Sequence, residues 1–419
     1  MVNAEFLYDK DYFNSYFGAS HVVDKQLSYQ RIENGYILPH QPMGSQNAGG
    51  VLTQNKEYIE ETALHTKSGA AYTFEQKQVT KKKETVVYIG MFVGIWGHCI
   101  TDNIRRIWFL KTEEYQNVFA GCKLVYVPFQ GFEFSESFSQ LLAMLGLDCK
   151  DLVPITEITQ YAEIIIPDEC FFSPEGSTRY FTKEYRELID TVRTYAAAHA
   201  TPTGYDKVYF TYSSYTKGKQ VGEEKLERFF QQQGYHIIAP EKLSLSQQLN
   251  MLYQCTHFAS TVGSCSHNII FLQPQTTVTL IPRANYLTGY QVALDEVQAL
   301  DITYVDASLS VFVNQKYPWV GPFFYYVSDQ LVRYFGKTPV HDKRYWKDNF
   351  SDFDQYVTFG LHQHDPADCV PPAFYSKLAV AYLQQYLNTS WLSKFVRRWP
   401  MANTFSYCIW SDRVQKSKE

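Results

Sequence analysis

The 419-residue chain contains no uninterrupted apolar run of about 18 residues, the length that a membrane-crossing helix needs. Its opening, MVNAEFLYDKDYFNSYF, lacks the basic stretch and apolar core of a secretory leader. The 8 cysteines are scattered with no Cys-x-x-Cys pair, so neither a zinc framework nor a redox pair is supported. Charge is nearly balanced, 38 Lys+Arg against 43 Asp+Glu for a net −5, which excludes the global basic signature of a nucleic-acid binder. No Gly-x-Gly-x-x-Gly follows a strand-like run, which disfavours a dinucleotide-dependent oxidoreductase. There is no short-period repeat and no low-complexity tract. These absences predict a reduced, cytoplasmic, globular protein in which the sequons at Asn349 and Asn388 are incidental.

Aromatic side chains are abundant. They make up 16% of residues, with 33 Tyr and 29 Phe. Tyr-rich surfaces suit carbohydrate, because a ring face packs on sugar C–H groups while the hydroxyl hydrogen-bonds; any single ring is more readily placed in a core. The length predicts two or three domains. Residues 1–84 read as a mixed segment of loops and short strands, ending in the solvated KKKE at 81–84. An α/β unit spans 85–203: strands at TVVYIGMF, KLVYVP, LVPI and AEIIIPD, and helices over 97–112, over SESFSQLLAMLGL with a Ser135 or Ser137 cap, and over 180–200. ATPTG at 200–204 reads as a linker, and a second α/β unit spans 204–306. Residues 307–419 read as aromatic-rich helices, including PWVGPFFYYVSDQLVRYFGK, RYWKDNFSDFDQY and the long tail segment.

The densest signal is residues 208–282, where β-rich runs alternate three times with amphipathic runs of helical length. Parallel strands need such long connections. The third strand ends in Gly263-Ser264-Cys265-Ser266, followed by His267-Asn268 and an apolar helix start. Backbone N–H groups at such a turn can hold an anion. The same residues also fit a tight turn with Ser caps and a satisfied histidine. Upstream, His98 and Asp102 stand four apart on a predicted helix that begins at a strand's carboxyl edge, and Asp102 stands four before Arg106, with Arg105 beside it. A neutral imidazole there can take a proton from a hydroxyl. A helix cap with an ion pair behind it is the bland alternative. Lys217 and Lys219, with Tyr212 and Ser213, form a basic loop that could stabilise a leaving phosphate or be an ordinary solvated turn. His362, His364, Asp365 and Asp368 match no zinc spacing and read as a polar loop, so no metal is expected. Trp391, Leu392, Phe395 and Trp399 share a helical stripe beside Lys394, Arg397 and Arg398, which fits an interfacial membrane contact as well as a packed terminal helix.

In order and spacing, several motifs resemble glycosyltransferase family 61, whose bacterial members are mostly capsule and surface-polysaccharide enzymes. They are the basic loop at 217–219, Gly222-Glu223, Gly234-Tyr235, Pro240-Glu241-Lys242-Leu243-Ser244, Gln247-Gln248, and Gly263 through Asn268 to Phe271. GHCITDNIRRIWFL at 97–110 resembles the family's His-containing helix with a following Arg. Val262, Gly222 and Lys219 stand where many members have His, Asn and Arg. The resemblance implies an α/β fold of GT-B type: a pair of Rossmann-type domains, with the aromatic-rich helical extension behind them. It implies an inverting transfer from a nucleotide sugar, most simply a UDP sugar, to a glycan or lipid-linked glycan hydroxyl, with no cofactor and no metal. His98 or Asp102 would be the base, and Arg105 and Arg106 would support the acceptor side or the structure. Tyr212, Lys217, Lys219, Glu223, Glu241, Gly263, Ser264, Ser266, His267 and Asn268 would serve the donor. An inactive relative that binds glycan or scaffolds a complex is the rival, and nucleotide binding separates the two.

Overall fold

The computed structural model describes residues 2–7, 10–43, 46–64, 69–174, 176–214, 220–283, 287–309 and 323–340, with positions 352 and 356. The fold is mixed α/β, built on two large sheets. One is an all-parallel sheet of six strands: Val2–Phe6, Asp301–Val305, Thr277–Ile281, His257–Thr261, Lys207–Phe210 and His236–Ile238, in that spatial order. Its first strand in chain order within the second unit, Lys207–Phe210, lies between the second and the third, so the winding reverses there. Open parallel sheets bind ligands at the carboxyl ends of the strands flanking such a reversal.

The other sheet has eight strands and mixed pairing. Its parallel block is Thr159–Pro167, Thr80–Phe92, Lys123–Pro128 and Leu152–Pro154. The reversal falls between Thr80–Phe92 and Thr159–Pro167. The N-terminal segment is divided between the two sheets: Val2–Phe6 edges the parallel one, while Tyr29–Glu33, Tyr36–Met43, Gln46–Leu52 and Gly69–Ala70 extend the mixed one. KKKE lies inside the strand that begins at Thr80, its side chains alternating between more and less exposed before the run VVYIGMF becomes fully buried.

Most helices follow their apolar periodicity. Glu136–Met144 starts at Ser135, whose hydroxyl accepts from the Phe138 N–H, and Leu245–Gln254 starts at a Ser244–Gln247 capping box. Lys183–Ala198 buries Tyr185, Leu188, Ile189 and Val192.

Two expected helices differ. The stretch 97–112 is broken into a four-residue helix, Trp96–Cys99, a run of turns, and a 3-10 segment, Ile107–Lys111. Asn103 accounts for part of the break, since its amide clamps the strand end by accepting from Val93 N–H at 3.1 Å and donating to Val93 O at 3.0 Å. FFY in PWVGPFFYYVSDQLVRYFGK is a strand, Phe323–Tyr325, paired with Gln220–Val221 and Ser308–Leu309, and helix begins only at Asp329 behind the Ser328 cap. Consecutive aromatics suit a buried pleated surface. RYWKDNFSDFDQY apart from positions 352 and 356, the residues His362 to Asp368 and the Trp391–Trp399 stripe lie outside the described residues.

One hydrophobic cluster spans both sheets. Val87, Ile89 and Phe92 of the mixed sheet join Leu188 and Ile189, Leu249 and Leu252, and then Val208, Phe258 and Val278 of the parallel sheet. No helix among the described residues is long and apolar enough to cross a membrane.

Candidate active site

The carboxyl edges of the two sheets meet at one place. From the mixed sheet comes the turn after Thr80–Phe92. The Trp96 indole donates to Asn268 Oδ1 at 3.0 Å, and a Cβ on Gly97 would lie 2.9 Å from His267 Nδ1. Glycine at 97 therefore lets the two edges approach this closely.

His98 and Asp102 do pair, although not along a continuous helix. His98 Nδ1 lies 2.7 Å from Asp102 Oδ2, and Asp102 is 3% exposed. The carboxylate also accepts from Thr101 Oγ1 at 3.0 Å and from Tyr290 OH at 3.0 Å to each oxygen, with Arg105 Nη1 at 3.4 Å. Such a donor set fixes the orientation of the carboxylate. With Nδ1–H donated to Asp102, the basic lone pair of the imidazole sits on Nε2. The helix at His98 has only four residues, so its dipole adds little and the pairing with Asp102 sets the ring's tautomer.

Arg105 and Arg106 follow Asp102 in the run of turns. Both are buried and share Glu169, at 3.0 and 2.9 Å. Arg105 also donates to Ala63 O at 2.8 Å, and Arg106 to the carbonyls of Pro167 and Glu61. Burial raises the Glu169 carboxyl above its ordinary range, against the pull of the two guanidiniums. Beside this network lies a cavity of about 270 Å³ bordered by Lys25, Gln30, Arg106, Asp168, Glu169 and Phe172.

The loop at 263–266 is a tightly built turn. Gly263 has φ +149°, and a Cβ there would meet the Arg283 guanidinium carbon at 2.6 Å. Ser266 is fully buried; its hydroxyl accepts from Gly263 N–H at 2.8 Å and also contacts Gly263 O and Gln291 Oε1. The Ser266 hydroxyl, placed on the donor side by the resemblance, closes the turn instead. Ser264 is part-exposed and borders the Gly97 approach. His267 is 8% exposed, its Nδ1 has no hydrogen-bond partner, and burial, with His98 and Arg283 nearby, lowers it to about 3. A histidine lowered in this way brings no positive charge to the donor side near neutral pH. The following segment, Ser266–Phe271, is a six-residue 3-10 turn with no side-chain cap, so the helix start expected there is absent.

Tyr212 and Glu223 form the layer behind the loop. The Tyr212 hydroxyl accepts from Cys265 N–H at 2.6 Å, and the Arg283 guanidinium lies over its ring at 4.2 Å. Glu223 is wholly buried; Oε1 accepts from Tyr212 N–H at 3.1 Å, Oε2 has no partner, and burial raises the carboxyl to about 7. Both residues shape the loop from behind rather than facing solvent. Glu241 is exposed and accepts from the Ser214 hydroxyl. Lys217 and Lys219 lie outside the described residues. Among the described residues, no three His, Cys, Asp or Glu side chains are gathered so as to hold a metal.

Arg283, Trp96 and Tyr290 were not singled out from sequence. Arg283 directly follows TVTLIP at a strand's carboxyl end, and that position could have marked it. Tyr290 sits in GYQVAL, which carries no recognisable motif.

Residues 96–279 match the family model described as Glycosyltransferase 61. The match supports a glycosyltransferase. It begins at Trp96 and so includes His98, Asp102, the 263–266 loop, His267 and Asn268, while Arg283 and Tyr290 lie beyond it. No curated protein matches the chain.

Proposed function

We propose that this chain is an inverting glycosyltransferase that moves a sugar from a nucleotide donor, a UDP sugar, to a glycan hydroxyl in capsule or surface-polysaccharide synthesis. The observation that carries the reading is the part-exposed His98 paired at 2.7 Å with the buried Asp102, at the meeting of two sheet edges within the segment that matches glycosyltransferase 61. In this reading the two sheets are the halves of a GT-B arrangement, with the acceptor against the mixed sheet and the donor against the parallel one.

The acceptor hydroxyl gives its proton to His98 Nε2 as its oxygen attacks the anomeric carbon from the face opposite the diphosphate. The carbon–oxygen bond to phosphate breaks, the nucleoside diphosphate leaves with the electron pair, and the anomeric carbon is inverted. Asp102 orients the ring and stabilises the imidazolium that forms. Lys217, Lys219 and Arg283 balance the charge growing on the leaving group. The chemistry requires no divalent cation, so chelators leave turnover intact.

The test is nucleoside diphosphate release from a panel of nucleotide sugars, with and without glycan acceptors. His98→Gln should lower turnover by roughly 10²- to 10⁴-fold, the usual worth of a general base, with nucleotide affinity near normal. Asp102→Asn should have a smaller effect, and the reverse ranking makes Asp102 the base. Normal turnover in both variants places the base elsewhere. The enclosed hydroxyl of Ser266 favours one rival, a glycan-binding relative without turnover, and failure to bind any nucleotide would select it.

A further inference from the structure

The short helix Gly289–Leu294 reaches both sides of the candidate site through neighbouring residues. Tyr290 OH donates to both oxygens of Asp102 at 3.0 Å, across 188 positions of sequence. The next residue, Gln291, contacts the Ser266 hydroxyl of the loop through Oε1 and donates from Nε2 to Asp295 Oδ1 at 2.9 Å.

The Tyr290 ring is itself held. Phe171 stacks on it at 5.9 Å, the Arg179 guanidinium lies 4.5 Å from its centroid, and the His98 ring meets it edge-on at 5.6 Å. The backbone beneath leaves no freedom either, since a Cβ on Gly289 would fall 1.9 Å from Ser177 O. Burial and the Asp102 charge raise the phenol well above its ordinary value, so the hydroxyl stays protonated and donates.

We propose that Tyr290 is a positioning residue that fixes the Asp102 carboxylate, and through it the His98 imidazole, so that the helix carrying it aligns the base with the donor loop held by Gln291. The inference rests on the glycosyltransferase reading above. Of the four side chains that donate to this carboxylate, three come from the turn after the mixed-sheet strand, His98 among them, and Tyr290 alone comes from the helix after the parallel-sheet strand. The carboxylate can then neither rotate nor leave the imidazole without breaking the Tyr290 bonds. A rigid orienter of this kind keeps Nε2 aimed at one point, which is what proton abstraction in a single geometry needs.

Tyr290→Phe removes the hydroxyl and keeps the ring contacts. Turnover, read as nucleoside diphosphate release from nucleotide sugars, should fall roughly 10- to 100-fold, the size of one hydrogen bond to a charged group, with the KM for donor unchanged. The deciding measurement is a double-mutant cycle. In an Asp102→Asn background the same Tyr290→Phe change should cost less than about threefold, because the group it acts through has been altered. If Asp102→Asn does not fold, His98→Gln supplies the background, with the same expectation. An equal loss in both backgrounds, or a loss carried in KM alone, overturns the positioning role of Tyr290 and leaves the base assignment standing. Normal turnover in both Asp102→Asn and His98→Gln overturns the base assignment, and the inference with it.

Discussion

Glu223 sits in an environment at odds with a carboxylate's charge. It is fully buried, one carboxyl oxygen has no partner, and burial raises it from 4.5 to about 7. A carboxyl raised on folding favours the folded state when protonated. Its contribution is therefore complete below about pH 4.5 and is lost as pH rises through about 7. The size is on the order of 3 kcal/mol, undiscounted because the group is not exposed. Glu223→Gln keeps the oxygen that accepts from Tyr212 N–H and removes the titration. Denaturant midpoints at pH 5 and pH 8 should show the variant gaining on the parent protein by roughly 2–3 kcal/mol at the higher pH. A difference between the two proteins that stays constant across that range would refute the buried, raised carboxyl. Asp295, also raised to about 7 by burial, titrates in both proteins and cancels.

At the scale of elements, the turn after Thr80–Phe92 shows what sequence pattern reaches and where it stops. Strands and most helices were legible because apolar spacing decides them: the KLVYVP strand, the Ser135 and Ser244 caps and the Lys183–Ala198 helix all follow local chemistry. The pairing of His98 with Asp102 was legible too, since an i, i+4 spacing brings side chains together even where the helix is irregular. The break at 100–106 was not, because it depends on Asn103 bonding back to Val93 and on Arg105 and Arg106 reaching distant carbonyls. Tyr290 was out of reach for the same reason, its partner lying 188 positions away. The strand at Phe323–Tyr325 was misjudged because its helical reading took no account of a pairing with Gln220–Val221.

Gly97 belongs at this scale, because it is the point where the short helix Trp96–Cys99 touches the parallel sheet's loop. A methyl group at 97 would meet His267 Nδ1 at 2.9 Å and Ser264 Oγ at 3.2 Å. Neither group can retreat far, since His267 is buried and Ser264 lies in the Gly263 turn. Gly97→Ala should cost about 1–3 kcal/mol in denaturant stability, the usual penalty for overpacking. It should also lower turnover several-fold, by pushing His98 away from the loop. Gly121→Ala, with nothing within 4 Å of the added carbon, should leave both unchanged. If Gly97→Ala is as stable and active as that control, the two edges are not in the contact described.

For the whole molecule, the decisive fact is that one apolar cluster runs through both sheets. The helices Lys183–Ala198 and Glu136–Met144 pack on Leu245–Gln254, so cutting the chain at the ATPTG stretch would uncover Leu188, Ile189, Leu249 and Leu252 together. Trp96–Asn268 and Tyr290–Asp102 add polar ties across the same boundary. Two sheets joined in this way should unfold together: calorimetry of the full chain should give one transition with matching calorimetric and van't Hoff enthalpies. A nucleoside diphosphate bound at the meeting of the sheets stabilises only the folded form. At about 100 times its Kd it should add roughly 2.7 kcal/mol and move that single transition upward as one. Two separate transitions, with only one of them responding to nucleotide, would show that the sheets are energetically independent. A meeting point between independent halves could not hold His98 against the loop, and the site proposed here would have to be assembled by the substrate instead.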